Sequence, residues 1–176
     1  MPARALAPAT ELRRSFLSML EDFDANDRSN AEFYAPAKDD FDAYVESLLD
    51  EEQGLNLREG WVRCTHRWLV DERNSIVGVT RLRHRVDTPF LAENGGHIGF
   101  DVRPSSRGRG FGHLAMQVSL ERAVRLHIPR VLLFAAEDNL ASRAVIERAG
   151  GVLEKVSYSG FWNAMLCKYW VSAAEA

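Results

Sequence analysis

Apolar and polar side chains alternate from Ile98 to Val102, and this period of two predicts a strand with two unlike faces. Pro104 ends the strand, because proline cannot donate to a ladder of hydrogen bonds. Beyond it the apolar period lengthens to i, i+3, i+4 and i+7, as in a helix, at Phe111, Leu114, Ala115 and Val118. The intervening segment, residues 107–112, reads RGRGFG. The predicted unit is therefore a strand, a glycine-rich turn and a helix.

The same two periods predict the remaining elements. The predicted strands are Arg4–Ala7, Cys64–Val70, Ser75–His84, Val131–Phe134, Val152–Tyr158 and Ala164–Val171. The predicted helices carry a stripe from Leu12 to Phe23 after a Thr10 cap, a stripe from Phe41 to Leu49 after Asp39 or Asp40, and the segment Asn139–Ala149. This order predicts an α/β (α+β) fold in which helices cover a mixed sheet. Its length of 176 residues suits a single domain spanning residues 1–176.

The glycine-rich turn has a chemical use. The first turn of a helix carries unpaired N–H groups and the positive end of the dipole, and it therefore attracts phosphate. Glycine lets the backbone approach an anion, and Arg107 and Arg109 add positive charge. A dinucleotide-binding fingerprint would need glycine where His113 stands, and no P-loop sequence occurs. A tight helix start without a ligand remains the alternative.

Two motifs carry a resemblance to a known family. Arg107-x-x-Gly110-x-Gly112, preceded by Val102-x-Pro104, resembles the pyrophosphate loop of the GNAT superfamily of acyl-CoA N-acyltransferases. Asn139 and Ser142 stand at a strand-to-helix junction, where the matching GNAT residues face the pantetheine arm of coenzyme A. By itself either residue would be interpreted as a helix cap. The order of elements matches the GNAT fold from about Arg4 to Val171.

Within that superfamily, the chain most resembles a bacterial group of predicted acetyltransferases. The residues that carry this closer resemblance are GGHIG at residues 95–99 and the segment N-x-x-S…GGV at residues 139–152. The fold that it implies has a mixed central sheet of about six to seven strands flanked by four helices.

The resemblance also implies an activity. Acetyl-CoA would be the co-substrate, and an acetyl group would pass by direct attack in a ternary complex to a primary amine, either a small molecule or a peptide N-terminus. The implied cofactor-binding residues are Val102, Arg107, Gly108, Arg109, Gly110, Phe111, Gly112, His113, Asn139 and Ser142. The protein is thus predicted to be an acetyl-CoA-dependent N-acetyltransferase, and the identity of the amine stays open.

The chemistry needs a proton acceptor, because an amine is protonated at neutral pH and cannot attack in that form. His97 is the predicted general base, on the polar face of its strand, where related transferases often carry Glu. Glu93 and water are the alternatives, and His97 is otherwise a structural histidine. Backbone N–H groups near Gly99 and Phe100 would bind the oxyanion. Many GNAT enzymes have, where this chain has Ile146, a tyrosine that acts as general acid toward the leaving thiolate. In this chain water would have to protonate the coenzyme A thiolate.

Three arginines on or just after one predicted strand, Arg81, Arg83 and Arg85, have two interpretations. A solvated strand face is the favoured one, because exposed charged side chains are common. The other is a wall of the acceptor pocket that selects an acidic group.

Composition narrows the remaining classes. A net charge of −3 argues against a broad nucleic-acid surface. Two cysteines without Cys/His ligand spacing indicate neither a disulfide scaffold nor a metal site. Met1–Thr10 lacks a signal-peptide core and the apolar run Val131–Ala136 is too short to span a membrane, so a cytoplasmic location is expected. A non-catalytic acyl-CoA sensor, a ligand-free interaction domain and a homodimer remain open.

Overall fold

A computed structural model describes residues 3–173, in which seven strands and six α-helices follow one another. The outermost residues of the domain predicted over 1–176 therefore lie outside the described range. In chain order the elements are β1 (Ala3–Leu6), α1 (Arg13–Asn26), α2 (Arg28–Ala31), α3 (Pro36–Asp39), α4 (Phe41–Gln53), β2 (Cys64–Asp71), β3 (Ile76–Arg83), β4 (Ile98–Val102), α5 (Phe111–Arg125), β5 (Arg130–Ala136), α6 (Leu140–Arg148), β6 (Val152–Ser159) and β7 (Ala164–Ser172).

The strands form two sheets. The first has the order β1-β2-β3-β4 and the second the order β5-β7-β6, with every neighbouring pair antiparallel. The predicted α/β class and number of strands are confirmed. The ladder of hydrogen bonds is interrupted between β4 and β5, so the strands fall into two groups.

The ends of the helices show where local sequence decided the structure. Asp40 caps α4 by accepting a hydrogen bond from the Ala43 N–H at 3.0 Å, as the sequence predicts. Gly54 ends the same helix at φ +79°, a left-handed conformation that glycine adopts readily. Thr10, by contrast, is not a helix cap. It opens a 3₁₀ turn, Thr10–Leu12, and α1 begins at Arg13 without a side-chain cap.

Helices cover both faces of the first sheet. On one face α1–α4 pack against β2 and β3, where the Phe16 and Trp68 rings lie 4.6 Å apart between centroids. On the other face α5 covers β3 and β4, where the buried hydroxyls of Thr80 and Ser119 satisfy each other at 2.6 Å. A second core joins α5 and α6 to β4, β5 and β7. The strands next to the gap therefore have packed faces.

Two hydrogen bonds join the sheets. The His97 N–H donates to the Leu132 carbonyl at 2.7 Å, and the Leu132 N–H donates to Nδ1 of the His97 ring at 2.9 Å. The preceding Gly96 has φ +64° and ψ −172°, and a Cβ there would lie 2.6 Å from the Leu132 oxygen. Only glycine permits this approach without strain. Within residues 3–173, no further backbone hydrogen bond links β4 to β5.

The register of β4 determines which way its backbone points. The Arg83 N–H donates to the His97 carbonyl at 2.8 Å, and the Arg103 N–H donates to the Val77 carbonyl at 3.0 Å. Because hydrogen-bonded pairs alternate along an antiparallel ladder, the polar backbone groups of Ile98, Phe100 and Val102 point away from β3. They face the gap toward β5.

Candidate active site

The gap between the sheets opens into a cleft of about 1420 Å³. Its cofactor-side half, as we name it, is bordered by the end of β4, the glycine-rich turn, α5, α6 and the end of β5. Its acceptor-side half lies under α2–α4 and over the face of β2 and β3 that carries Cys64, His66, Arg81 and Arg83. Most of the residues that the sequence singled out line the cofactor-side half: Val102, Arg107, Gly108, Gly110, Phe111, Gly112, His113, Asn139 and Ser142.

The glycine-rich turn leads directly into α5. Gly108 and Gly110 have φ +74° and +85°, and a Cβ at either position would meet nothing within 4 Å. At position 112 glycine allows close packing instead, because a Cβ there would lie 3.1 Å from Val145 of α6. Phe111 buries its ring in the core. The turn therefore presents backbone rather than side chains to the cleft, and the first N–H groups of α5 have no earlier helical turn to bind.

The two arginines of the turn have different environments. Arg107 pairs with Asp27 and donates from Nε to the Val102 carbonyl at 3.2 Å, which anchors the turn to β4 and to the segment between α1 and α2. Partial burial raises the pKa of Asp27, but hydrogen bonds from Arg107 and Asn30 outweigh it, and the pKa lies below its ordinary value. Arg109 lies 5.3 Å from the Phe111 ring centroid and is not among the described residues that line the cleft.

One polar atom in this half has no partner within the described part of the chain. It is Nε2 of His113, a buried atom on a residue that borders the cleft. A buried polar atom without a hydrogen bond costs free energy, about 1–3 kcal/mol. Because the atom itself is buried, a ligand in the cleft would reach it only after the side chain had moved.

Asn139 and Ser142 begin α6 at the opposite wall. The Asn139 side chain accepts a hydrogen bond from the Ser142 N–H at 3.0 Å, so Asn139 is the helix cap that its residue type suggests. Both residues also border the cleft. Ile146, one helical turn further along, is buried and lines the same wall. An apolar side chain thus occupies the position at which a tyrosine would offer a proton.

The environment of His97 counts against its predicted role as general base. Its Nδ1 accepts the Leu132 N–H, and in neutral imidazole the proton then sits on Nε2, so the ring has no free lone pair. Burial and the nearby Arg83 guanidinium lower the pKa of His97 to about 4. His97 is also absent from the described residues that line the cleft. The ring is unavailable as a base because it takes the place of a backbone acceptor at the junction of the sheets.

Glu93, the second candidate base, lies outside the cleft among the described residues. Its side chain is 54% exposed and pairs with Lys155 at 3.0 Å and with Lys168 at 3.9 Å. These contacts hold the π-type turn Leu91–Gly95 against the β6–β7 hairpin. Its carboxylate is therefore directed toward the two lysines of that hairpin.

The acceptor-side half contains two charged clusters. Asp101 accepts hydrogen bonds from the Tyr34 hydroxyl at 2.5 Å and from Arg81 at 3.0 Å. The Arg81 guanidinium passes over Gly99, where a Cβ would lie 2.8 Å from its Nε. The interpretation of Arg81 and Arg83 as a solvated strand face is wrong, because both are partly buried, bonded and on the cleft wall. Arg85 fits that interpretation, being exposed and paired with Asp87.

The second cluster was not anticipated from the sequence. His66 and Glu51 are 2.7 Å apart, between Nε2 and Oε2, and Cys64 lies beside them. Burial lowers the pKa of His66, but Cys64 and the Glu51 carboxylate raise it more, to about 9. At neutral pH the two groups form an ion pair. Their ligand atoms and the Cys64 sulfur lie within 4.8 Å of one another, close enough for these three residues to hold a metal ion.

The comparison with protein families identifies the class. The model of the acetyltransferase (GNAT) domain matches residues 13–152. The chain therefore belongs to the GNAT family of acetyltransferases, as its two motifs indicated. No curated protein matches it. No helix within residues 3–173 has the length and apolar character that crossing a membrane requires.

Solved structures share the fold at low sequence identity. RimL, a ribosomal L7/L12 α-N-protein acetyltransferase in complex with coenzyme A, is 18% identical, with 98% of this chain and 94% of RimL covered and a TM-score of 0.69. The microcin C7 self-immunity acetyltransferase MccE, in complex with acetyl-CoA and AMP, is 16% identical, with 97% of this chain and 92% of MccE covered and a TM-score of 0.68. A spermidine N-acetyltransferase chimera of Vibrio cholerae SpeG and hSSAT is 12% identical, with 98% of this chain and 96% of the chimera covered and a TM-score of 0.61.

The position of His97 predicts a pH-dependent stability. Its pKa is lower in the folded state, about 4 against 6.5, so the unfolded chain binds more protons between these values. Stability from this group is present above pH 6.5 and is lost as the pH falls toward 4. We expect wild type to lose stability relative to His97→Gln over that window, by up to about 1.4 kcal/mol per pH unit, in urea unfolding at pH 7, 6, 5 and 4.5.

Glutamine is the suitable replacement, because its side-chain oxygen can still accept the Leu132 N–H. Parallel stability curves for the two proteins would show that His97 does not contribute in this way. Turnover provides the second measurement. A variant that stays folded at pH 7 but loses 100-fold or more in turnover, about what a positioned base supplies, would restore the general-base prediction.

Proposed function

We propose that this protein transfers an acetyl group from acetyl-CoA to a primary amine, by direct attack while both substrates are bound. The observation that carries the proposal is the cofactor-side half of the cleft. There the unpaired backbone edge of β4 runs into a glycine-rich turn and the first N–H groups of a 15-residue helix. An extended ligand with amide groups and a phosphate end matches both features.

Coenzyme A has such a shape. Its pyrophosphate would bind the N–H groups from Arg109 to His113, which the open space around Gly108 and Gly110 leaves accessible. The pantetheine amides would lie between the edge of β4 and the start of α6, where Asn139 and Ser142 border the cleft. Structural neighbours in complex with coenzyme A or acetyl-CoA support the choice of co-substrate.

The residues of the chain would then assist a simple reaction. Holding the amine against the thioester supplies much of the rate, because it removes the entropic cost of encounter. The Phe100 N–H faces the gap and would stabilise the oxyanion of the tetrahedral intermediate. With the His97 ring engaged and Ile146 apolar, water would take the amine proton and supply one to the leaving thiolate.

A non-catalytic acyl-CoA sensor is the second candidate. Ile146 leaves this candidate open, since no side-chain acid stands there for the leaving thiolate. A thiol-release assay with acetyl-CoA and a panel of primary amines separates the two. We expect amine-dependent release of coenzyme A, with the acetylated amine identified by mass spectrometry. Tight binding of acetyl-CoA with no transfer to any amine would support the sensor.

The glycine-rich turn can be tested by adding a side chain. Gly110→Val should weaken coenzyme A binding at least about tenfold in calorimetry, because the side chain would block approach to the N–H groups. Gly150→Val is the matched control. Gly150 has nearly the same φ, +83° against +85°, equally open surroundings and a position outside the lining of the cleft. Equal affinities for the two folded variants would contradict the placement.

The capping role of Asn139 and its proposed role in binding acetyl-CoA can be separated by experiment. Asn139→Ala should lose about 1 kcal/mol of stability, as a missing cap does. Asp40→Ala removes the equivalent cap of α4, away from the cleft, at nearly the same expected cost. We expect acetyl-CoA binding to weaken at least about fivefold only for Asn139→Ala. Normal binding by both variants would make Asn139 a cap alone.

A further inference from the structure

The proposed function leaves the acceptor amine unnamed, and the acceptor-side half of the cleft constrains its chemistry. We infer that the acceptor carries an anionic group, which binds the Arg83 guanidinium, and an apolar or aromatic body, which packs on the rings at the cleft margin. The inference rests on the proposed function, because it concerns the second substrate of that reaction. Three observations support it.

The first observation is the balance of charge. Arg81 is neutralised by Asp101 at 3.0 Å, and protonated His66 is neutralised by Glu51 at 2.7 Å. Arg83 lines the same half of the cleft, yet no carboxylate of residues 3–173 lies within 4.0 Å of its guanidinium. Glu32, Asp50 and Arg58 also line this half, at other walls. On the strand face that carries Cys64, His66, Arg81 and Arg83, Arg83 is therefore the described cation without a carboxylate partner.

The second observation is the geometry of Arg83. Its Nη1 donates to the carbonyls of Gly95 and Gly96, at 3.1 Å each, which fixes the plane of the guanidinium. A guanidinium has five N–H donors, and the described contacts engage only this nitrogen. Burial and the neighbouring Arg81 also lower the pKa of Arg83, so its charge is destabilised as it stands. A bound carboxylate or phosphate would relieve that cost with directed hydrogen bonds.

The third observation is a row of four exposed aromatic side chains at the cleft margin, Phe33, Trp162, Phe161 and Phe90, which we call the aromatic rim. Its contacts, between ring centroids, are Phe33–Trp162 at 6.1 Å, Phe161–Trp162 at 4.8 Å and Phe90–Phe161 at 4.7 Å. All four side chains are at least 39% exposed, although each borders the cleft. Contiguous exposed apolar surface of this kind marks a binding site. The apolar or aromatic body of the acceptor would pack on this rim.

Spacing along β4 adds a constraint. Arg83 binds the chain at Gly95 and Gly96, whereas the N–H proposed for the oxyanion belongs to Phe100. At about 3.3 Å per residue, the four residues from Gly96 to Phe100 correspond to roughly 13 Å of extended chain. The acceptor would therefore need to hold its amine and its anionic group several bonds apart, as in a short peptide.

Matched acceptors test the inference on the wild-type protein. Each pair differs only in the anionic group: the dipeptide Ala-Phe and its C-terminal amide, phenylalanine and its amide, and, to separate phosphate from carboxylate, phosphoethanolamine and ethanolamine. The measurement is kcat/KM from thiol release. We expect the anionic member of at least one pair to be favoured at least about tenfold, with the largest ratio for the dipeptide.

The outcomes distinguish this inference from the proposed function. Equal values, or a preference for the uncharged member in every pair, would overturn the inference and leave the transferase function intact. Transfer to none of these amines or to the wider panel, with acetyl-CoA bound, would contradict the proposed function and this inference with it. A ratio confined to the phosphate pair would identify phosphate as the anionic group.

Variants locate the effect. Arg83→Met should bring the ratio for the favoured pair to within about twofold of one, whereas Arg83→Lys, which keeps the charge but not the planar fork, should give an intermediate value. Arg85→Met is the control, because Arg85 is exposed, pairs with Asp87 and lies outside the described cleft lining. Its ratio should equal that of wild type. An unchanged ratio in Arg83→Met would overturn the assignment.

Arg83 also holds the turn at Gly95 and Gly96, so a variant that fails to fold needs a substitute measurement. Wild type can be inhibited by a compound that has the anion and ring but no amine. We expect 3-phenylpropionate to compete with the acceptor at least about tenfold better than 3-phenylpropionamide. Equal inhibition by the two compounds would contradict an anion site.

Discussion

The reciprocal contact between His97 and Leu132 is the constraint on which the cleft depends. Two backbone segments approach as neighbouring strands would, but the Leu132 N–H finds a ring nitrogen where a continuing ladder would place a carbonyl. Gly96 makes the approach feasible, because any Cβ would collide with the Leu132 oxygen. The sheets are therefore joined at one point and separate beyond it, and the edge of β4 stays unpaired toward the cleft.

The two halves of the cleft between the sheets present different chemical groups. The cofactor-side half presents backbone, because its glycines remove side chains and Arg107 is directed to Asp27. The acceptor-side half presents charged and aromatic side chains from β2, β3, the segment before β4 and the β6–β7 turn. Backbone groups suit a substrate that is always the same molecule, whereas side chains can differ between relatives.

Charge pairing in the acceptor-side half shows why sequence alone does not predict the environment of each arginine. Arg81, Arg83 and Arg85 occupy alternate positions at the end of one strand and just after it, and nothing in that sequence pattern distinguishes them. In the fold each has a different environment: an ion pair with Asp101, a contact with two carbonyls, and an exposed pair with Asp87. The partners come from distant segments, so only their assembly decides which arginine retains an uncompensated charge.

The sequence alone determined what depends on near neighbours. The strand and helix periods, the Asp40 and Asn139 caps and the glycine-rich turn before α5 need no distant contact, because backbone conformation and capping act within a few residues. Tertiary structure decided the rest. The division of the sheet, the engagement of the His97 ring by Leu132 and the Glu51–His66 pair join segments that are distant in the chain. A side chain's protonation and availability depend on those partners, which no local pattern specifies.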